Sequence, residues 1–152
     1  MTGSSAAIEA IQHKLNRGSA VILDGATGTE LQRRGVPMDD VAWCALATAS
    51  HPDILRAIHG DYVRAGADLV TANTFASARH MLDRAGIGAR TADLNRRSVT
   101  LAREAAAQAG DEVGRHVAVA GSISTMRPVG KGTDQRDPTV DLATIPWAAS
   151  LR

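Results

Sequence analysis

The chain holds a single cysteine, Cys44, in 152 residues. No intrachain disulfide can form, which fits a reducing compartment. An excess of one charge is also missing, since 17 Lys and Arg stand against 16 Asp and Glu. A binder of bare nucleic acid carries clustered positive charge. Here the tight basic runs are Arg33-Arg34 and Arg96-Arg97, which read as solvated helix faces. Aromatic residues make up 3% of the chain, too few for a base-stacking surface. No apolar run approaches the ~20 residues that cross a bilayer. Residues 1–7 lack the basic start and apolar core of a secretory leader. These absences argue against nucleic-acid and membrane partners. They leave a soluble cytoplasmic protein, one domain long, as the expectation.

What is present is an alternation of short apolar runs and amphipathic stretches. Residues 6–16 place Ile8, Ile11 and Leu15 on one helical stripe before Gly18. Residues 20–23 (AVIL) form a continuous apolar run ending at Asp24-Gly25, the pattern of a parallel strand covered on both faces. A Gly-containing turn and a short helical stretch follow over 26–35, and 37–40 reads as loop. Pro52 and Asp53 open a helix over 52–65, with Leu55, Ile58, Tyr62 and Ala65 recurring and Gly66 as its cap. Residues 68–75 (DLVTANTF) read as a second strand, 76–84 as a short helix ended by Gly86, and 91–109 as a long helix followed by Gly110. Leu94, Leu101, Ala102 and Ala105 face inward in that helix. A third strand spans 116–123 (HVAVAGSI). Strands centred on Ile22, Val70 and Val119, each separated by a helix, predict a parallel sheet with right-handed crossovers. Residues 127–138 are polar and rich in Gly and Pro, and 140–152 show no clear period, so both read as weakly ordered.

In parallel α/β folds ligands gather at the C-terminal ends of the strands, where loops enter helix N-termini. All three strands here end in small or polar residues: Asp24 to Thr29, then Asn73-Thr74, then Gly121 to Ser124. Asp24 directly follows a buried run, where a carboxylate can neutralise a substrate ammonium in a partly dry pocket. It can equally cap the following turn. Gly25 and Gly28 permit tight backbone geometry for either purpose.

Other motifs fail on spacing. A dinucleotide fingerprint built on Gly25 and Gly28 needs glycine at position 31, which is Leu31. A phosphate loop needs lysine where Thr29 stands. Of the five histidines, His13, His51, His59, His80 and His116, none forms a metal pair, and each reads as a surface or helix-end residue. Cys44, beside Trp43, reads as a buried thiol without a positioned base.

Several motifs in order resemble the homocysteine S-methyltransferase family: ILDGATGTEL (22–31), Trp43, HPDILRAIHGDYVRAGADLVTANTF (51–75), Asn95, LAREA (101–105) and VAGSIS (119–124). The resemblance runs over about residues 20–124; 125–152 match less well and read as loop. It implies that residues 1–152 are the N-terminal part of a homocysteine-binding (βα)8 barrel: an α/β, TIM-type partial barrel of about three parallel βα units, open and incomplete. It further implies transfer of a methyl group to the thiol of homocysteine, giving methionine. Asp24 would contact the homocysteine amino group. Gly25 and the turn through Thr29 would shape that pocket, Asn73, Thr74 and Ser122 would line it, and Trp43 would lie over the donor side.

The family's zinc is bound by cysteines late in the barrel, one after a later strand and an adjacent pair near the C-terminus. Cys44, in the first loop, matches none of them. A catalytic zinc site needs three protein ligands. Zinc therefore belongs to the full-length family, none is expected for this chain alone, no catalytic residue is assigned, and the chain is expected to be truncated and inactive by itself. An open sheet also exposes its edges and inner face. Self-association, a complementing barrel half, or the rest of a longer chain would cover them. The alternative is a non-catalytic amino-acid-binding or interaction fragment.

Overall fold

The two helices with the clearest apolar spacing form the scaffold of the computed structural model, which describes residues 2–123. Helix α4 (Pro52–Arg64) carries Pro52 in its first turn beside Asp53, where a fixed φ and a negative charge both favour initiation. It buries Leu55, Ile58, His59 and Val63. Helix α6 (Thr91–Glu112) packs against it and buries Leu94, Leu101, Ala102, Ala105, Ala106 and Ala109. The alanines let α6 approach closely, so Ala102, Ala106 and Ala109 share one core cluster with Val63, Val70 and Ala72. A second cluster joins Leu31, Val36, Cys44, Leu55 and Ile58. Each fully buried Leu or Ile there contributes roughly 1.5–3 kcal/mol.

The remaining helices are α1 (Thr2–Asn16) and the shorter α2 (Thr27–Arg33), α3 (Ala47–Ser50) and α5 (Arg79–Arg84). A 3-10 turn, Gly88–Arg90, leads into α6. Neither α3 nor this turn has a periodic signal in the sequence. The long helix also runs past Gly110. A Cβ at that position would lie 2.6 Å from the carbonyl of Arg115, so Gly110 admits a close backbone approach inside the helix. Gly114, at φ +65, stands beyond the end.

Strands β1 (Leu69–Thr71) and β2 (Ala118–Ala120) pair in parallel, with Leu69 opposite Ala118 and Thr71 opposite Ala120. Both are shorter than the sequence suggests. The expected first strand over 20–23 is reduced to a parallel bridge between Leu23 and Leu69. Its backbone still docks on β1: Asp68 N donates to Ile22 O at 2.8 Å, and Asp24 N donates to Leu69 O at 3.0 Å. The result is an α/β fold with a small parallel sheet. Its first segment is not covered on both faces as expected, because Ile22 is 50% and Leu23 62% exposed. The apolar stripe of α1 lies largely outside the core, with Ile8 and Leu15 exposed. A groove of about 680 Å³ lies between α1, α6 and β2, lined in part by Ile8, Val99, Ala106 and Val119.

Asp68 ties α1, the segment at Ile22 and the loop at Arg115 together at the end of the sheet opposite the predicted site. It is 6% exposed. Its carboxylate accepts from Lys14 Nζ at 2.7 Å, Ile22 N at 3.0 Å and Arg115 Nη1 at 3.2 Å. Burial pushes this carboxyl up, but the Ile22 N–H, Lys14 and Arg115 together outweigh burial and hold it below the usual carboxylate value. No helix among the described residues is long and apolar enough to cross a membrane. The stretches 127–138 and 140–152 read above as weakly ordered lie outside the described residues, as does Ser124.

Candidate functional site

The Asp24 backbone is fixed by its N–H bond to Leu69 O, which aims the side chain along β1. The half-buried carboxylate accepts from Thr71 N at 2.7 Å and from Thr71 Oγ1 at 2.9 Å. One donor reaches each oxygen, so the carboxylate is oriented while lone pairs remain for another partner. Asp24 thus meets Thr71 at the C-terminal end of β1, and Thr71 stands two residues before Asn73.

Two aromatic rings flank the turn that follows. A Cβ on Gly25 would meet Tyr62 Cε1 at 2.8 Å, so glycine is required for the α4 ring to pack there. The Tyr62 hydroxyl leans toward Ala26 O at 3.5 Å. Burial pushes this phenol up, and the negative charges of Glu30 and Asp24 act in the same direction. A Cβ on Gly28 would lie 2.5 Å from Trp43 Cζ2, so the indole covers the first turn of α2. Trp43 is 41% exposed and holds a left-handed φ of 46°. Thr29 is exposed on the same turn of α2.

Asn73 points elsewhere. It is 5% exposed, its Nδ2 donates to Cys44 O at 2.9 Å and Thr48 Oγ1 at 3.3 Å, and its Oδ1 accepts from Cys44 Sγ at 3.2 Å. Its amide locks the loop after Trp43 to β1. Thr74 and Ser122 do meet: Thr74 Oγ1 donates to Ser122 O at 2.8 Å and accepts from Ser122 N at 2.9 Å. This pair continues the β1–β2 contact past the ladder. Ser77 Oγ lies between Thr74 O and Asn95 Oδ1. The structure therefore brings Asp24 and Gly25 to Thr71 and Tyr62, Trp43 to Gly28, and Thr74 to Ser122, while Asn73 faces the core.

Sequence reading missed Thr71, Tyr62 as a pocket residue, and His59. Thr71 is β-branched within a strand and gave no other signal. His59, expected at a surface or helix end, is fully buried, and neither ring nitrogen has a partner among the described residues. Burial pushes its pKa down, and the charge of Asp24 opposes that shift. Its periodicity signal was available, since it neighbours the buried Ile58 and precedes Val63 by one turn on α4.

Cys44 is 3% exposed, and burial pushes its thiol up to about 11. It stays protonated near neutrality, which suits neither a nucleophile nor a metal ligand. No group of three His, Cys, Asp or Glu among the described residues could hold a metal ion.

Comparison with known proteins places this geometry in context. Residues 21–143 match the family model described as homocysteine S-methyltransferase. The homocysteine S-methyltransferase YbgG of Bacillus subtilis is 34% identical over 102 residues, covering 67% of this chain and 31% of that protein. The homocysteine S-methyltransferase of Escherichia coli is 37% identical over 92 residues, covering 60% and 30%. A crystal structure of the metallated homocysteine methyltransferase MmuM from Escherichia coli superposes with a TM-score of 0.65 at 32% identity, covering 72% of this chain and 40% of that one. The chain spans about a third of the length of these two curated relatives.

Proposed function

Because the chain belongs to the homocysteine S-methyltransferase family, we propose that it forms the amino-acid-binding end of such an enzyme, the first units of a (βα)8 barrel. The observation that carries this reading is the Asp24 carboxylate, fixed by both donors of Thr71 at the mouth of the sheet. A carboxylate held in this way meets an incoming ammonium without reorganising, and charge-assisted bonds of this kind are about twice as strong as neutral ones. The ammonium of homocysteine is the natural occupant. The Gly25–Thr29 turn, with Tyr62 behind it, shapes the space around that group, and the Thr74–Ser122 pair presents polar atoms from the neighbouring strand end. Trp43 forms the side toward the methyl donor. Asn73 acts by holding the Trp43–Cys44 loop against β1.

Methyl transfer also requires an activated sulfur, since a thiol near neutral pH is mostly protonated. The zinc implied by the family does not fit the residues described. Cys44 is buried, hydrogen-bonded to Asn73 and protonated, and no three-ligand group accompanies it. The proposed role of these residues is therefore recognition of the amino acid, and no reaction step is assigned to them.

Calorimetry with L-homocysteine, and with L-methionine as its product, tests the reading. Binding to the full chain should fall about 10- to 100-fold in Asp24→Asn, because a hydrogen bond to a charged group contributes about 1.5–3 kcal/mol. The amide oxygen at position 24 can still accept from Thr71, so the fold should persist. No heat of binding with the unaltered chain, or equal affinity in Asp24→Asn, rejects the proposal.

A further inference from the structure

The loop carrying Trp43 is held to β1 after Trp43 by Asn73, and before Trp43 it is closed by the side chain of Asp39. Asp39 Oδ1 accepts from Val41 N at 2.8 Å and from Ala42 N at 2.7 Å, while Asp39 N donates to Trp43 O at 2.9 Å. An isolated antiparallel bridge joins Asp39 to Trp43. Within this closed loop Trp43 takes its left-handed φ of 46°. A bulky residue holds that conformation only when its surroundings over-determine it. The indole then lies on Gly28, where a Cβ would collide with it, yet it stays 41% exposed. The chain's single tyrosine and one of its two tryptophans thus bracket one turn, Tyr62 on Gly25 and Trp43 on Gly28.

We propose that Asp39 is a positioning residue: its side chain clasps the loop so that Trp43 stands as a preset aromatic wall beside the Asp24 turn before any ligand arrives. The clasp needs an acceptor oxygen at position 39 and needs no charge there. The wall needs glycine at position 28. A preset wall spares a ligand the ordering of a large side chain on binding. That consequence for affinity rests on the reading of Asp24 given above, whereas the clasp itself does not.

The test uses the full chain carrying Trp147→Phe, so that fluorescence reports Trp43 alone. Steady-state anisotropy and acrylamide quenching are read alongside far-ultraviolet dichroism. Asp39→Ala should lower the anisotropy and raise the quenching constant about two-fold, as a side chain released from a fixed setting becomes mobile. Asp39→Asn should restore the parent values, since an amide oxygen accepts the same two bonds. Gly28→Ala should displace the indole with Asp39 unchanged. Unaltered anisotropy and quenching in Asp39→Ala would overturn the proposal. So would an Asp39→Asn variant that behaves like Asp39→Ala, because charge would then be the requirement. If Asp39→Ala does not fold, Asp39→Asn and Gly28→Ala decide the question by the same readings. Calorimetry with L-methionine adds an independent arm, with affinity expected to fall about three- to ten-fold in Asp39→Ala. A parent chain that binds no methionine rejects the ligand reading, and the fluorescence still decides the clasp.

Discussion

Replacing Asp68 with alanine removes the side-chain acceptor that, beside the backbone bonds, helps to hold the first apolar segment against β1. The carboxylate is 8% exposed, while its partners Lys14 and Arg115 are 42% and 34% exposed. These two cations regain water when the carboxylate is lost, so each ion pair contributes only about 0–1 kcal/mol. The Ile22 N–H is different. It is part-buried and donates to a charged oxygen at 3.0 Å, an interaction that contributes about 1.5–3 kcal/mol. Together these give a loss of about 2–4 kcal/mol. For a chain of this size that corresponds to a melting point lower by about 5–15 °C.

The assay is thermal and urea unfolding of Asp68→Ala beside Asp61→Ala, whose carboxylate is 52% exposed and paired with Arg34 and Arg64. The control should lose less than about 1 kcal/mol. Asp68→Asn keeps an acceptor for Ile22 N and should fall between them. Hydrogen exchange at the Ile22 amide should accelerate in Asp68→Ala. Equal losses in the two alanine variants, or an Ile22 amide that stays protected, would refute the reasoning. Since the folded carboxyl titrates below its ordinary value, its contribution is complete above that value and fades as pH falls through the folded pKa.

Two other outcomes follow from buried groups. His59 titrates below its ordinary 6.5 because burial disfavours the cation, with Asp24 opposing. The unfolded chain therefore takes up a proton first, and stability should be intact above 6.5 and decline as pH falls below it. Urea titrations at several pH values should show a weaker decline in His59→Gln, and an identical profile in the variant would contradict this. Cys44, 3% exposed and pushed up to about 11, should resist iodoacetamide at pH 8 until the chain is unfolded. Alkylation at the rate of a free thiol would show the site to be open.

Local pattern made much of the fold legible. Helices α4 and α6 are readable because their apolar residues repeat at the helical period and their starts carry Pro52 or an acid in the first turn. The strand positions and the Asp24–Thr29 turn are readable for similar reasons, and the ordered motifs point to the family that the chain matches over residues 21–143. The lengths of the strands were less so. A strand's extent depends on what pairs with it, so the run over 20–23 became a single bridge.

Which polar group meets which was decided only in three dimensions. Asp24 pairs with Thr71 across 47 residues, Asn73 turns inward to Cys44 across 29, and Asp68 reaches Lys14 across 54. From sequence, Asn73 and Thr71 differ little, and Gly28 cannot be told from a flexible turn glycine. Its reason is the Trp43 ring, fifteen positions on, that rests against it. Periodicity is a property of neighbouring residues, so the chain itself displays it. Hydrogen-bond partners and steric fit are properties of segments brought together, and they exist only once α4, α6 and the small sheet have packed.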